Sequence, residues 1–114
     1  MAHLRDLSVE LFEEDVLHSP IPVVVDFSAS WCGPCRALAP VLERLAGQYQ
    51  GRVRFFKVDV DSEQELAEQF SIASIPTLMF FNNGNLLDQH EGLIDPRQLQ
   101  LKLNHLAGVS PAVL

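Results

Sequence analysis

Two cysteines, Cys32 and Cys35, stand where a buried-strand pattern gives way to a helical pattern, and the chain has no others. The strand pattern covers residues 21–27, and the helical pattern begins at about Pro34. A disulfide needs Cα atoms within roughly 4.4–6.8 Å, which two intervening residues at a helix start can satisfy. Gly33 permits a tight turn, and Pro34 suits the first helical turn. We therefore expect a fold that holds a cysteine pair at a helix N-terminus.

This position favours reversible dithiol–disulfide exchange. The free N–H groups and the dipole of a helix N-terminus should lower the pKa of the Cys32 thiol, and a thiolate is the species that attacks a disulfide. A structural disulfide is one alternative, although so short a loop gains little entropy. Zinc is another, but two cysteines cannot complete a tetrahedral site, and the histidines lack ligand spacing: His3, His18, His90 and His105. A covalent haem site would need histidine where Arg36 stands.

Length and charge narrow the class of protein. A chain of 114 residues can form one domain with its own core, and we expect a single domain over residues 1–114 with a flexible tail at 109–114. A net charge of −7 argues against nucleic acid and membrane partners. The first residues lack the apolar stretch of a signal peptide, and no run approaches a membrane span. We expect the reducing cytoplasm, where such a pair is more often catalytic than structural.

The remaining patterns predict a βαβ unit followed by ββα. Pro40 should kink the helix that follows the cysteines. Asn83-Gly84 is a strong hairpin signal. The other predicted elements are a helix from Ser8, a strand at 53–58, a helix opened by a capping box at Ser62–Glu65, strands at 77–81 and 86–90, and a last helix capped by Asp95 with Pro96 first and Gln98 reaching back.

The run Trp31-Cys32-Gly33-Pro34-Cys35 in this topology resembles the thioredoxin family. The likeness extends from about Leu7 to Leu106. Further matching positions are Val25-Asp26-Phe27, Pro40, Lys57-Val58-Asp59, Ile75-Pro76-Thr77, Asn83-Gly84 and Gly92. The resemblance implies an α/β thioredoxin fold, in which four helices flank a central mixed five-stranded sheet whose first strand lies near residues 4–7.

The same resemblance implies a protein disulfide reductase. Cys32, at the exposed mouth of the helix, would attack a client disulfide, and the more buried Cys35 would resolve the mixed disulfide. No cofactor and no metal are implied, and the partners would be disulfide-containing clients and a thioredoxin reductase, with the chain monomeric. A thioredoxin-fold oxidant or isomerase is the alternative that Gly33-Pro34 disfavours. A redox-silent binding module is the alternative that Trp31 and Asp26 disfavour.

Asp26 interrupts an otherwise apolar strand. Burial should raise the pKa of its carboxyl, so that it either transfers protons near neutral pH or simply bonds backbone groups. The resemblance implies the first role, with Asp26 accepting the proton of Cys35 and Lys57 as its partner from the neighbouring strand.

The last group of residues concerns client binding. Only about 5–6% of X–Pro bonds are cis, so the sequence favours a trans bond before Pro76. The resemblance implies instead a cis bond beside the cysteines that leaves the Ile75 backbone free for a client segment. Trp31, Gly92 and Leu93 would complete the client surface. Three residues depart from the family's usual types: Ser28, Arg36 and Glu91. Of these, Ser28 and Glu91 bear on partner choice.

Overall fold

The fold is seen in a computed structural model, which describes residues 3–108. Its strands are β1 (Leu4–Asp6), β2 (Val23–Ser28), β3 (Arg54–Asp59), β4 (Thr77–Asn82) and β5 (Asn85–Glu91). Its helices are α1 (Val9–Phe12, continued as a π-helix over Glu13–Leu17), α2 (Gly33–Gln48), α3 (Gln64–Gln69) and α4 (Pro96–Leu106). The predicted α/β fold with a mixed five-stranded sheet and four helices is confirmed within these residues. The tail predicted at 109–114 lies outside them.

The five strands form one sheet in the order β1-β3-β2-β4-β5. The first three run parallel, and β4 and β5 are antiparallel to their neighbours. Every residue of the central strand β2 is buried, which explains its nearly continuous apolar run. The outer strand β5 is mostly exposed. The central strand thus delivers the cysteine motif, which follows it directly, to the edge of a rigid sheet.

Side-chain alternation along β2 divides the core into two layers. Val24 packs with α2 and α4 on one face of the sheet, whereas Val23, Val25 and Phe27 pack on the other face against α1 and α3. By the same alternation Asp26 shares the face of Val24 and lies on the α2 side. The residues of α2 and α4 that cover this face are Leu38, Leu42, Leu45, Leu99 and Leu103.

The capping box predicted at Ser62–Glu65 is wrong. The helix begins one residue later, with Glu63 in the N-cap position and no side-chain cap. The Glu63 carboxylate instead accepts the N–H of Val9 at 2.9 Å, and the Ser62 hydroxyl donates to the Asp59 carbonyl at 3.4 Å. The carboxylate at the start of this helix therefore binds a backbone N–H that is distant in sequence, rather than capping its own helix.

Pro40 lies inside α2, and the helix continues past it to Gln48. Proline has no N–H, so the carbonyl one turn earlier, that of Arg36, receives no helical hydrogen bond from this position. The kink expected there stays a prediction.

The predicted hairpin and last helix have the expected turn and cap. Asn83 and Gly84 both adopt positive φ, 53° and 78°, as a two-residue hairpin loop requires. The Asp95 carboxylate accepts the N–H of Arg97 at 2.8 Å, and Pro96 is the first helical residue. The reciprocal bond predicted from Gln98 does not form among residues 3–108.

The Asp95 cap supplies a stability prediction. Asp95→Ala should lower the free energy of unfolding by about 1 kcal/mol, because one N–H at the start of α4 loses its acceptor. Asp95→Asn keeps an oxygen acceptor and is the matched control, with a smaller loss. Denaturant unfolding of both variants at pH 7 measures the difference. Equal losses would mean that the charge, rather than the hydrogen bond, stabilises the helix.

Candidate active site

Cys32 and Cys35 form a disulfide at the start of α2, with their Cα atoms 5.2 Å apart. Cys32 is the N-cap residue, and its Sγ accepts the N–H of Cys35 at 3.2 Å. Pro34 occupies the first turn, and Gly33 leaves open space around its Cα. The sulfur of Cys32 thus lies where helix N–H groups would stabilise a thiolate in the reduced form.

Exposure does not separate the two cysteines in this oxidised state. Cys32 is 5% exposed and Cys35 is 3% exposed, so the expected difference between an exposed and a buried thiol is absent. Their surroundings differ more clearly. The Sγ of Cys32 lies 3.9 Å from the carbonyl oxygen of Ile75, whereas Cys35 is held one turn into the helix.

The loop that faces Cys32 contains the bond between Ile75 and Pro76, which is cis. The trans bond favoured by the local sequence is therefore wrong, and the bond implied by the family resemblance is present. Statistics for X–Pro pairs carry no information about tertiary contacts, which here include a 2.7 Å hydrogen bond from the Gly92 N–H to the Pro76 carbonyl. The Ile75 backbone makes no backbone hydrogen bond within residues 3–108.

Apolar side chains lie on the chain segments that adjoin the disulfide, and these segments are called the rim here. Trp31 is 65% exposed and Leu93 is 57% exposed, while Ile75 is half-buried against the cysteines. The Trp31 Nε1–H donates to Asp61 Oδ2 at 2.7 Å, which fixes the ring beside the helix start. Gly92 joins the rim through its bond to Pro76. This arrangement provides both an unpaired backbone segment and apolar side chains next to one reactive sulfur.

Asp26 is buried on the α2 side of the sheet and is 1% exposed. Neither of its carboxylate oxygens makes a hydrogen bond within residues 3–108. Burial raises the pKa of this carboxyl from 3.8 to about 7, and the charge of Lys57 opposes the shift. Cys35 lies on the same helix face as Leu38 and Leu42, which pack on this side of the sheet, so Asp26 lies beneath the helix that carries the disulfide.

Lys57 is the register partner of Asp26 on β3. Its ammonium, however, lies 3.9 Å from Asp6 Oδ1, and this is the ion pair it forms among the described residues. The partner expected for Asp26 therefore acts on it through its charge at longer range rather than through a direct salt bridge.

Comparison with known proteins identifies the architecture around this site. The family model for thioredoxin matches residues 3–105. The chain belongs to the thioredoxin family. It is 45% identical to Thioredoxin 1 of Nostoc sp. over 103 residues, which are 90% of this chain and 96% of that one. It is 48% identical to the thioredoxin of Synechocystis sp. over 94 residues, covering 82% and 88% of the two chains. It is also 39% identical to the thioredoxin of Pseudomonas aeruginosa, covering 85% and 90%.

Membership of the thioredoxin family, together with the Cys32–Cys35 disulfide, makes the chain a protein disulfide oxidoreductase. None of the helices in residues 3–108 is long and apolar enough to cross a bilayer. Within the same residues no group of three or more histidine, cysteine or acidic side chains is arranged to hold a metal ion.

The structure brings most of the predicted site residues of this thioredoxin-family chain together at one edge of the sheet. Pro40 is the exception, because it lies five residues along α2 from Cys35, about 7.5 Å along the axis. Sequence reasoning missed Asp61, although it follows β3 closely. Parallel strands end at the same edge of a sheet, so the residues after β3 could have been placed beside Trp31, which follows β2.

Proposed function

We propose that Cys32 is the attacking thiolate and Cys35 the resolving thiol of a protein disulfide reductase. The observation that carries this assignment is the Cys32 sulfur at the N-cap of α2, where it accepts the Cys35 N–H beside the free Ile75 backbone. A thiolate there is stabilised by the helix N-terminus and lies next to a segment that a client can pair with.

The reaction has two exchange steps. The Cys32 thiolate attacks one sulfur of the client disulfide, so that a mixed disulfide forms and the second client sulfur leaves as a thiolate that takes up a proton. The Cys35 thiol then loses its proton and attacks the Cys32 sulfur, which releases the first client sulfur as a thiolate that takes up a proton from solvent. Two electrons and two protons pass to the client, and Cys32–Cys35 becomes a disulfide.

Asp26 accepts the proton of Cys35 in the second step. Its raised pKa of about 7 supports this role, because a carboxyl that titrates near neutral pH can both take up and release a proton. Its position on the α2 side of the sheet supports the same assignment. Lys57 tunes the carboxyl by lowering its pKa against the effect of burial.

Clients bind as an extended segment along Ile75, whose carbonyl oxygen lies 3.9 Å from the Cys32 Sγ. Trp31, Gly92 and Leu93 contact the client side chains around the disulfide. The exposure of the two large apolar side chains in this rim supports that role, since large exposed apolar groups mark interaction surfaces.

The protein works as a monomeric electron carrier in the cytoplasm, where a thioredoxin reductase returns its disulfide to the dithiol. The net charge of −7 supports a freely diffusing protein, and a cysteine pair that cycles between states fits a reducing compartment. Relatives named thioredoxin support the role of a disulfide-exchanging electron carrier.

A redox titration tests the reductase assignment. Equilibration with glutathione or dithiothreitol buffers should give a reduction potential of about −270 mV for the Cys32–Cys35 pair, the value typical of thioredoxin. The reduced protein should also cleave the disulfides of insulin with dithiothreitol as the electron source. A potential of about −120 mV, the value of a strong thiol oxidant, would refute the assignment as a reductase.

A further inference from the structure

We propose that Glu91 selects clients by charge and favours disulfides that carry lysine or arginine a few residues from the reacting cysteine. The inference rests on the client-binding role proposed above for the Ile75 segment and deepens it.

Backbone contacts connect Glu91 to the reacting sulfur. Glu91 ends β5 and pairs with Thr77 at the start of β4. Its neighbour Gly92 donates its N–H to the Pro76 carbonyl at 2.7 Å, and the preceding Ile75 carbonyl lies 3.9 Å from Cys32 Sγ. A client segment laid along Ile75 and extended toward β5 therefore arrives at Glu91.

The direction and reach of the side chain fit this path. Directly paired residues of neighbouring strands project from the same face of a sheet, so Glu91 shares the face of Thr77. The Thr77 hydroxyl donates to the Ser74 carbonyl at 2.6 Å, which places the 74–76 loop on that side as well. An extended chain advances about 3.3 Å per residue, so three or four client residues cover about 10–13 Å from the attacked sulfur.

The carboxylate is also available to a client. Glu91 is exposed, and the ion pairs within residues 3–108 join other groups: His18 to Glu14, Lys57 to Asp6 and Lys102 to Asp88. Two other polar side chains of this edge are engaged, since Asp61 accepts the Trp31 Nε1–H and the Arg36 guanidinium donates to the Ser30 carbonyl. A client cation would therefore meet a free negative charge at the rim.

The test uses synthetic peptide disulfides that differ in one residue. One pair carries lysine or glutamate at the third position after the reacting cysteine, and a second pair carries the same change at the third position before it, which covers both client directions. In one of the two pairs we expect kcat/KM to be about three- to tenfold higher for the lysine peptide than for the glutamate peptide. This range corresponds to the attraction of an exposed charge pair in the first peptide plus the repulsion between like charges in the second. The preference should shrink in about 0.5 M salt, where screening is strong.

Substitutions assign the preference to this residue. Glu91→Gln should reduce the preference for the lysine peptide to less than about twofold, and Glu91→Lys should invert this preference. The effect of both substitutions should lie mainly in KM, and the reduction potential should stay constant. Glu13→Gln makes the same charge change on the exposed π-helical turn, away from the Ile75 loop, and should keep the wild-type preference.

Two results would overturn the inference and leave the reductase assignment intact. One is equal reduction of all four peptides by the wild type, and the other is an equal loss of preference in Glu91→Gln and Glu13→Gln, which would assign it to net charge. Failure of the wild type to reduce any peptide or insulin would instead refute the proposed function, and this inference with it.

Discussion

Cys35→Ser should turn the protein into a covalent trap for its clients. Cys32 can still attack a client disulfide, but without the second thiol the mixed disulfide has no internal route to resolution. We expect this variant to accumulate mixed disulfides with oxidised clients and to lose catalytic insulin reduction down to the uncatalysed background. Non-reducing gel electrophoresis followed by mass spectrometry of the linked peptide measures the trapping and identifies the attached cysteine.

Cys32→Ser is the matched control for this experiment. It keeps one thiol, removes the same disulfide and makes the same sulfur-to-oxygen change three residues away. It should trap almost nothing, because Cys35 lies one turn into the helix and its sulfur is not the one beside the Ile75 carbonyl. The two cysteines are almost equally buried, so a difference in trapping would reflect their positions in the helix rather than their exposure. Comparable trapping by both variants would refute the division of roles.

Asp26→Asn should make the oxidised protein more stable at pH 8. The folded pKa of Asp26 is about 7 and its ordinary value is 3.8, a difference equivalent to about 4 kcal/mol of pH-dependent stability. The substitution removes that cost but leaves a buried amide with unsatisfied hydrogen bonds, which costs about 1–3 kcal/mol. We expect a net gain of about 2 kcal/mol in the free energy of unfolding, measured by chemical denaturation.

The sign of this effect follows from proton binding. Between pH 3.8 and about 7 the unfolded state has lost the Asp26 proton while the folded state keeps it. Stability contributed by the neutral carboxyl is therefore complete below pH 3.8, falls as pH rises through this window and levels off above about pH 7. The difference between wild type and Asp26→Asn should grow across the same window. Oxidised protein is used because its cysteines do not titrate.

The same substitution should slow the second exchange step, because Cys35 loses its proton acceptor. Stability and activity would then change in opposite directions, as they do where a site is strained for function. Glu13→Gln is the control, since it converts an exposed carboxylate that forms no ion pair among residues 3–108 to an amide and should alter stability by no more than about 0.5 kcal/mol. An Asp26→Asn protein that is less stable and equally active would show a purely structural carboxylate.

Local sequence was sufficient wherever the interacting groups are neighbours along the chain. The disulfide at the start of α2, the hairpin at Asn83-Gly84 and the Asp95 cap each depend on residues one to three positions apart, so their chemistry can be read from spacing alone. The buried carboxylate of Asp26 belongs here as well, because an acidic residue within an apolar strand is evident in the sequence itself. Strand β1 is the opposite case, since its three residues are too short to show a period, and only the family resemblance indicated it.

Tertiary structure decided the features whose partners are distant in sequence. The Glu63 carboxylate bonds the N–H of Val9, 54 residues away, and the predicted capping box is unformed. Lys57 pairs with Asp6 rather than with Asp26, and Trp31 is held by Asp61, 30 residues away. In each case the partner is not a neighbour in the sequence, and the packing of the sheet determined which group came within reach. Local spacing therefore specified the reactive sulfurs, and the assembled sheet specified the surface and the charges that surround them.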